Sequence, residues 1–561
     1  ICHCLVGSEM CIRDRSDTTV FVARDIITMN ASRPHATHVA IRDGRIIGAG
    51  SAEDAESWGP FTLNEDFADK VLVPGFVEGH AHAMEGGIWD FPYVGYEDRW
   101  DPSGKRWRGA QSLDDVIAVL KESQTELDDA DTPLFAWGFD PIYFGGGRMH
   151  TGHLDAVSTT RPIIVLHSNG HLLNANSRLL DMAGITADTN IYGVLKDDTG
   201  KPTGELMEMA AKYMAYKQTG NPFFGGINLY SLQRYADSAV NCGVTTATDL
   251  FATFNETSLA AYLEASQTPG YALRLMPALN TIEQSVEEGI ALAKRALQDN
   301  NDRLHHRLCK VMTDGSIQGF TARLKWPGYH NGKPNGLWNM DPESLAELII
   351  GYHKAGLHLH IHTNGDEASE LMLDAIEAAQ IACPRPDHRH TLQHCQMADA
   401  SQFRRMAKLG VCSNLFANHI YYWGDEHAAI TMGPDRARRM DAAGTALREG
   451  VHFAIHSDAP VTPMAPLFTA WCAVNRQTRT GAILGPEERI SAANALYAIT
   501  LGAAYTLHMD HLVGSIEPGK YADFAVLEDS PLQVAPEAIR DVGVWGTISG
   551  GTPHQAAVRW G

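Results

Sequence analysis

No Cys-x-x-Cys pair and no disulfide-like spacing occur among the nine cysteines of this 561-residue chain. A disulfide framework is therefore not expected, and a reducing, cytoplasmic setting is. No apolar run approaches the roughly 18 residues of a membrane span, so no membrane partner is expected. No basic block offsets the formal net charge of -22, which argues against nucleic acid or an anionic membrane surface. No Gly-x-Gly-x-x-Gly opens a helix after a first strand, which lowers a dinucleotide-binding reading.

What is present describes a globular protein: 44% hydrophobic and 20% charged residues. The length exceeds one ordinary core, so a large domain with a smaller one is the default. The segment Ile1–Arg15 has no basic start, no continuous apolar stretch and no small-residue cleavage site. It reads as a non-native, adapter-derived segment and is set aside from the fold, together with the three cysteines it holds.

Short strands and turns follow, at Thr19–Ala23 and His38–Gly48, where Asp43-Gly44 between alternating runs signals a hairpin. A comparable run, Ala522–Leu527, lies near the other end. The expected arrangement is a small β-sandwich built from both termini (16–73 and 509–561) around a central domain, 74–508.

The centre alternates helices with short apolar strands, as parallel βα units do. In one unit, Asp341 caps and Pro342 starts a helix through Lys354, Gly356 closes it, and Leu357–His362 follows as a strand. A helix toward Ala379, the run His390–His394, a helix over 400–409 and the strand Val411–Leu415 come next. A helix over about Arg436–Arg448 and the strand Val451–His456 complete the pattern.

The segment Val73–His82 ends an apolar run in His80-Ala81-His82. Residues two apart on a strand share a face, so both imidazoles can aim at one metal ion. His82, His362, His394 and Asp458 each fall at the carboxyl end of an expected strand. In a (β/α)8 barrel those ends converge on one mouth, whereas in an open sheet they would spread apart. The barrel is therefore the expected fold, an α/β TIM-like barrel with its inserted loops.

These segments resemble the amidohydrolase superfamily, specifically amidohydrolase family 3 and its N-substituted formamide deformylase-like branch. The motifs that carry the resemblance are Pro74–His82, Gly243–Asp249, Asp314-Gly315-Ser316, His362–Asp366, Leu392-Gln393-His394, Ser457–Pro460 and Gly514–Asp523. They run in order from about Thr18 to the C-terminus. Two positions depart: Glu78 stands where the family usually has Asp, and Asn169-Gly170-His171 where it often has Asp-Gly-His.

The expected metal ligands are His80, His82, His362, His394 and Asp458. His358 and His360 compete with His362, and His390 with His394, but only the chosen residues stand at strand ends. Asp458 is expected both to bind metal and to act as base, taking a proton from water and returning it to a departing amine. Lys310 lies in a buried strand where a bare ammonium is costly. Related amidohydrolases use a carboxylated lysine there to bridge two metals, and the alternative is a lysine paired with Asp314 or another acid.

One or two divalent metals, zinc first among them, are the expected cofactors. The substrate is expected to be a small molecule, with an aromatic or bulky apolar group facing Trp89, Trp137 and His171. The expected reaction is hydrolysis of a non-peptide C–N bond in an amide, N-acyl, N-formyl or carbamate compound. Deamination or ester hydrolysis on the same scaffold is the alternative, then a non-catalytic scaffold protein; a homodimer is the assembly considered.

Overall fold

The computed structural model describes residues 18–129, 131–145 and 147–558. The segment Ile1–Arg15 lies outside the described residues. Eight parallel strands of the central region pair in chain order: β1 (Phe76–Glu78), β2 (Val244–Ala252), β3 (Arg274–Asn280), β4 (Leu308–Met312), β5 (His358–Thr363), β6 (Thr391–His394), β7 (Cys412–Leu415) and β8 (Phe453–Ile455). Past the ends of β1 and β8, a parallel bridge joins Ala81 to Ala459. There the His82 amide donates to the Ala459 carbonyl at 2.8 Å, and the Asp458 amide to the His80 carbonyl at 3.1 Å. First and last strands therefore meet, and the sheet curls into a TIM-like barrel.

The unit leading into β5 illustrates why these residues fold this way. Asp341 accepts a hydrogen bond from the Ser344 amide at 3.0 Å and caps the helix Pro342–Lys354. Leu345, Leu348, Ile349 and Tyr352 form its buried face at helical spacing. Gly356, at φ 82°, then turns the chain into the strand, in a conformation that a side chain would strain.

Both termini contribute to one mixed eight-stranded sheet. Its path runs 552–555, 544–549, 524–527, 71–74, 18–27, 35–42 and 45–50, with 61–64 paired to 18–27. Asp43 and Gly44, at φ 52° and 71°, make the tight hairpin turn between 35–42 and 45–50. Arg274 of β3 clasps Asp523 beside this sheet, Nε to Oδ2 at 2.5 Å and Nη2 to Oδ1 at 3.0 Å, and stacks on Tyr521.

A second sheet, inserted between β1 and β2, has the order 194–196, 202–207, 172–175, 163–167 and 134–139. With the helix Glu208–Thr219 it encloses its own core, in which Trp89, Trp137, Leu166 and Tyr216 pack together. Two expectations from the sequence need correcting. β1 ends at Glu78, so His80 and His82 lie just beyond it, held extended by the Ala81–Ala459 bridge. The single helix over 436–448 is instead two short ones, Pro434–Ala437 and Ala443–Arg448. Between them Asp441 is left-handed, and the buried Arg476 guanidinium takes the Met440 and Asp441 carbonyls that a continuous helix would have used.

Candidate metal centre

At the carboxyl ends of the barrel strands, His80, His82, Lys310, His362, His394 and Asp458 line one cavity of about 140 Å³, together with His171 and Trp137. Asp458 Oδ1 lies 3.2 Å from His80 Nε2 and 3.2 Å from His82 Nε2. Three potential ligand atoms, one oxygen and two nitrogens, thus face one point. His394 Nδ1 is 3.9 Å from Asp458 Oδ2, and His394 Nε2 is 3.1 Å from His362 Nδ1. Both His394 (φ 66°) and Asp458 (φ 54°) are left-handed, a conformation costing a non-glycine residue about 1–3 kcal/mol and concentrated at functional sites.

The protonation states suit a cation. Burial first, then neighbouring positive charge, holds His80, His362 and His394 well below the ordinary histidine range, leaving neutral imidazoles with a free lone pair. Burial alone would raise the Asp458 carboxyl. The hydrogen bond and charge of His82, aided by His456 and Lys310, instead bring it down to about 2. Neutral nitrogens on His80, His362 and His394 beside an ionised carboxylate are donors suited to a zinc-type site. The residues present therefore fit a divalent metal.

A directional hydrogen-bond chain sets the tautomer of His80. The Thr506 carbonyl can only accept, so His360 Nε2 donates to it (3.1 Å). His360, neutral because burial depresses it to about 3, must then accept at Nδ1 from the Gln393 amide, 2.6 Å away. Gln393 Oε1 in turn accepts from His80 Nδ1 (2.7 Å) and from Asn414 Nδ2 (3.0 Å). His80 therefore carries its proton on Nδ1 and presents the Nε2 lone pair to Asp458 and the cavity. His360, a rival for ligand on sequence grounds, supports the site from below.

Lys310 is buried on β4, its Nζ 3.2 Å from His80 Nε2, and burial lowers its ammonium to about 7. It makes no ion pair with Asp314, whose carboxylate instead accepts the amides of Arg323, Asn364 and Gly365. His171 lines the cavity, its Nδ1 3.0 Å from the Glu208 carboxylate. Trp137 also lines it, whereas Trp89 stands behind, ring to ring with Trp137 at 4.9 Å and bonded to Glu85. Glu78, in the family's Asp position, grips Ser457 across the β1–β8 seam; burial raises its carboxyl to about 8.

Three residues escaped sequence reasoning. His456 groups with His80 and His394, all three ring nitrogens lying within 4.8 Å of one another. Its place two residues before Asp458 repeats the His80/His82 spacing, a signal that could have found it. Gln393 sat inside a motif but carried no role, and Glu208, far away in sequence, gave no signal at all.

A model of the amidohydrolase family matches residues 65–554. The chain is 28% identical to the protein LONG AFTER FAR-RED 3 of Arabidopsis thaliana over 521 residues, covering 90% of this chain and 85% of that one. It is 25% identical to an N-substituted formamide deformylase of Arthrobacter pascens over 564 residues, covering 95% and 97%. Among solved structures, a metal-dependent hydrolase from Pyrococcus horikoshii superposes with a TM-score of 0.70 at 20% identity, covering 93% of this chain and 99% of that one. With most of its length matched, the chain belongs to the amidohydrolase family.

Proposed function

We propose that the protein is a metal-dependent hydrolase of non-peptide C–N bonds in a small amide, N-acyl, N-formyl or carbamate compound. The observation that carries this reading is Asp458 Oδ1 held 3.2 Å from both His80 Nε2 and His82 Nε2 inside a cavity. His80, His82 and Asp458 would hold the metal, with His394 and His362 beside them, and zinc suits these donors best. When bound, the metal polarises the carbonyl and acidifies water.

The chain's own residues do the rest. Asp458 takes one proton from the attacking water, whose oxygen bonds to the carbonyl carbon. The C–N bond then breaks, and Asp458 returns the proton to the departing nitrogen, leaving a free amine and a carboxylic acid. His171, fixed by Glu208, orients the substrate, and Trp137 offers an apolar wall to an aromatic group. Lys310, poised near neutrality, is suited to condense with carbon dioxide. Its uncharged amine would attack the carbon, one C=O π bond would open and one N–H proton would pass to solvent, and the resulting carbamate would help to hold a second metal. A cytoplasmic location accords with six free thiols among the described cysteines.

The test is a turnover panel of an N-formyl arylamine, an N-acyl arylamine, a matched aryl ester and an aminopurine. Amine release that disappears on chelation and returns with zinc is expected. Hydrolysis that ignores chelation, or activity confined to the ester or the aminopurine, would overturn the reading.

A further inference from the structure

The cavity wall contributed by the inserted sheet and the helix Glu208–Thr219 is chemically distinct from the metal side. Lys212 lines it, 4% exposed, and its Nζ donates once, to the Gly170 carbonyl at 2.5 Å. Among the described residues no carboxylate comes within ion-pair distance of this ammonium. Glu208, one helical turn earlier, faces the same wall, but both its oxygens meet His171 Nδ1, at 3.1 and 3.0 Å. An ammonium with two protons unspent is costly to bury, and burial lowers Lys212 to about 8.

Two further buried donors line the same cavity without a hydrogen-bond partner among the described residues. One is the Trp137 indole N–H, 2% exposed, and the other the Tyr216 hydroxyl, 9% exposed. Tyr216 follows Lys212 by four residues on one helix, so the two side chains share a face. The Leu166–Trp137 register and the Lys212–Gly170 bond bring Trp137, residues 166–170 and Lys212 to one end of the inserted sheet. Buried polar groups are normally satisfied, so two unmet donors beside an ammonium with protons to spare call for an acceptor that arrives with the ligand.

Resting on the reading of this cavity as the substrate site, we propose that the substrate carries a carboxylate that docks on Lys212, Tyr216 and Trp137, away from the metal ligands. The wall supplies one positive charge and two neutral donors, a match for an anionic oxygen pair. The substrate class is then an N-acyl or N-carbamoyl compound bearing a carboxylate, such as an acylated amino acid, with its scissile amide turned toward Asp458.

The probe pair for the test is 4-phenylbutanoate and the neutral 4-phenylbutan-1-ol, neither of which has a bond to hydrolyse. Calorimetric binding to the protein as purified should favour the carboxylate by about tenfold or more, the worth of a charge-assisted hydrogen bond. In Lys212→Met, with metal content unchanged, that preference should fall below about threefold, and in Tyr216→Phe it should fall partway. Equal binding of the two probes to the wild-type protein would overturn the proposal. So would a preference that survives Lys212→Met, because the carboxylate would then be sitting on the metal. If Lys212→Met does not fold, Lys212→Gln replaces it, and an unchanged preference in Tyr216→Phe counts against the docking wall. Because binding is read without turnover, failure of the hydrolase reading would show separately in the turnover panel.

Discussion

Replacing Gln393 by leucine removes the pivot of the chain that orients His80, while keeping a side chain of similar volume. His80 Nδ1 loses its acceptor at 2.7 Å and His360 Nδ1 its donor at 2.6 Å. His80 is then free to place its proton on Nε2, the nitrogen a metal needs. Loss of such a support typically costs about 10–100-fold in metal affinity, or about 1.4–2.7 kcal/mol. The same change strands buried polar atoms, each worth about 1–3 kcal/mol, so folding stability falls as well. A second variant separates the two effects. Gln393→Glu keeps an acceptor for His80 Nδ1 and should bind metal within a few-fold of wild type. Metal affinity is read by competition with a chromophoric chelator. Wild-type affinity in Gln393→Leu, or an equal loss in both variants, would refute the tautomer argument.

Asp458→Asn should cut turnover by about 10²–10⁴-fold, the span of general acid–base catalysis, while metal remains bound; full turnover in that variant would remove Asp458 as the base. Asp523→Ala leaves Arg274 buried and uncompensated where the barrel meets the terminal sheet. The expected cost is about 3–5 kcal/mol in urea unfolding, and a loss below about 1 kcal/mol would mean the pair behaves like a surface contact. At the amino ends of β5 and β6, burial depresses His388 to about 4 and holds His358 and His390 well below their usual range. The unfolded chain takes up these protons near pH 6.5 and the folded chain does not, so stability should decline as pH falls from about 6.5 toward 4. Urea midpoints measured across that range should show the decline, with a shallower slope in His388→Asn; midpoints that rise on acidification would contradict it.

The barrel was legible because its βα units carry their own punctuation. Asp341, Pro342 and Gly356 mark a helix whose observed bounds agree with the expected ones, and the strands at 358–363, 391–394 and 412–415 follow within a residue or two. The break at Asp441 was not legible, because it depends on Arg476, distant in sequence, capturing two carbonyls. The inserted sheet was read only as inserted loops of the barrel, since its pairing joins segments far apart and no local signal specifies the partners. At the site, spacing and strand-end position pointed to His80, His82, His362, His394 and Asp458, and burial of a lone lysine together with the family resemblance to Lys310; all six line one cavity. The roles of Gln393, Glu208 and Lys212 arise from partners on other elements, which periodicity cannot reveal.

The most direct test of the account is metal content per chain, by elemental analysis of protein purified without chelator or added metal. At least one equivalent of a divalent transition metal is expected in the wild-type chain, and almost none in a folded His80→Ala/His82→Ala variant. A wild-type chain that hydrolyses amides without metal, or a double variant that keeps its full content, would contradict it.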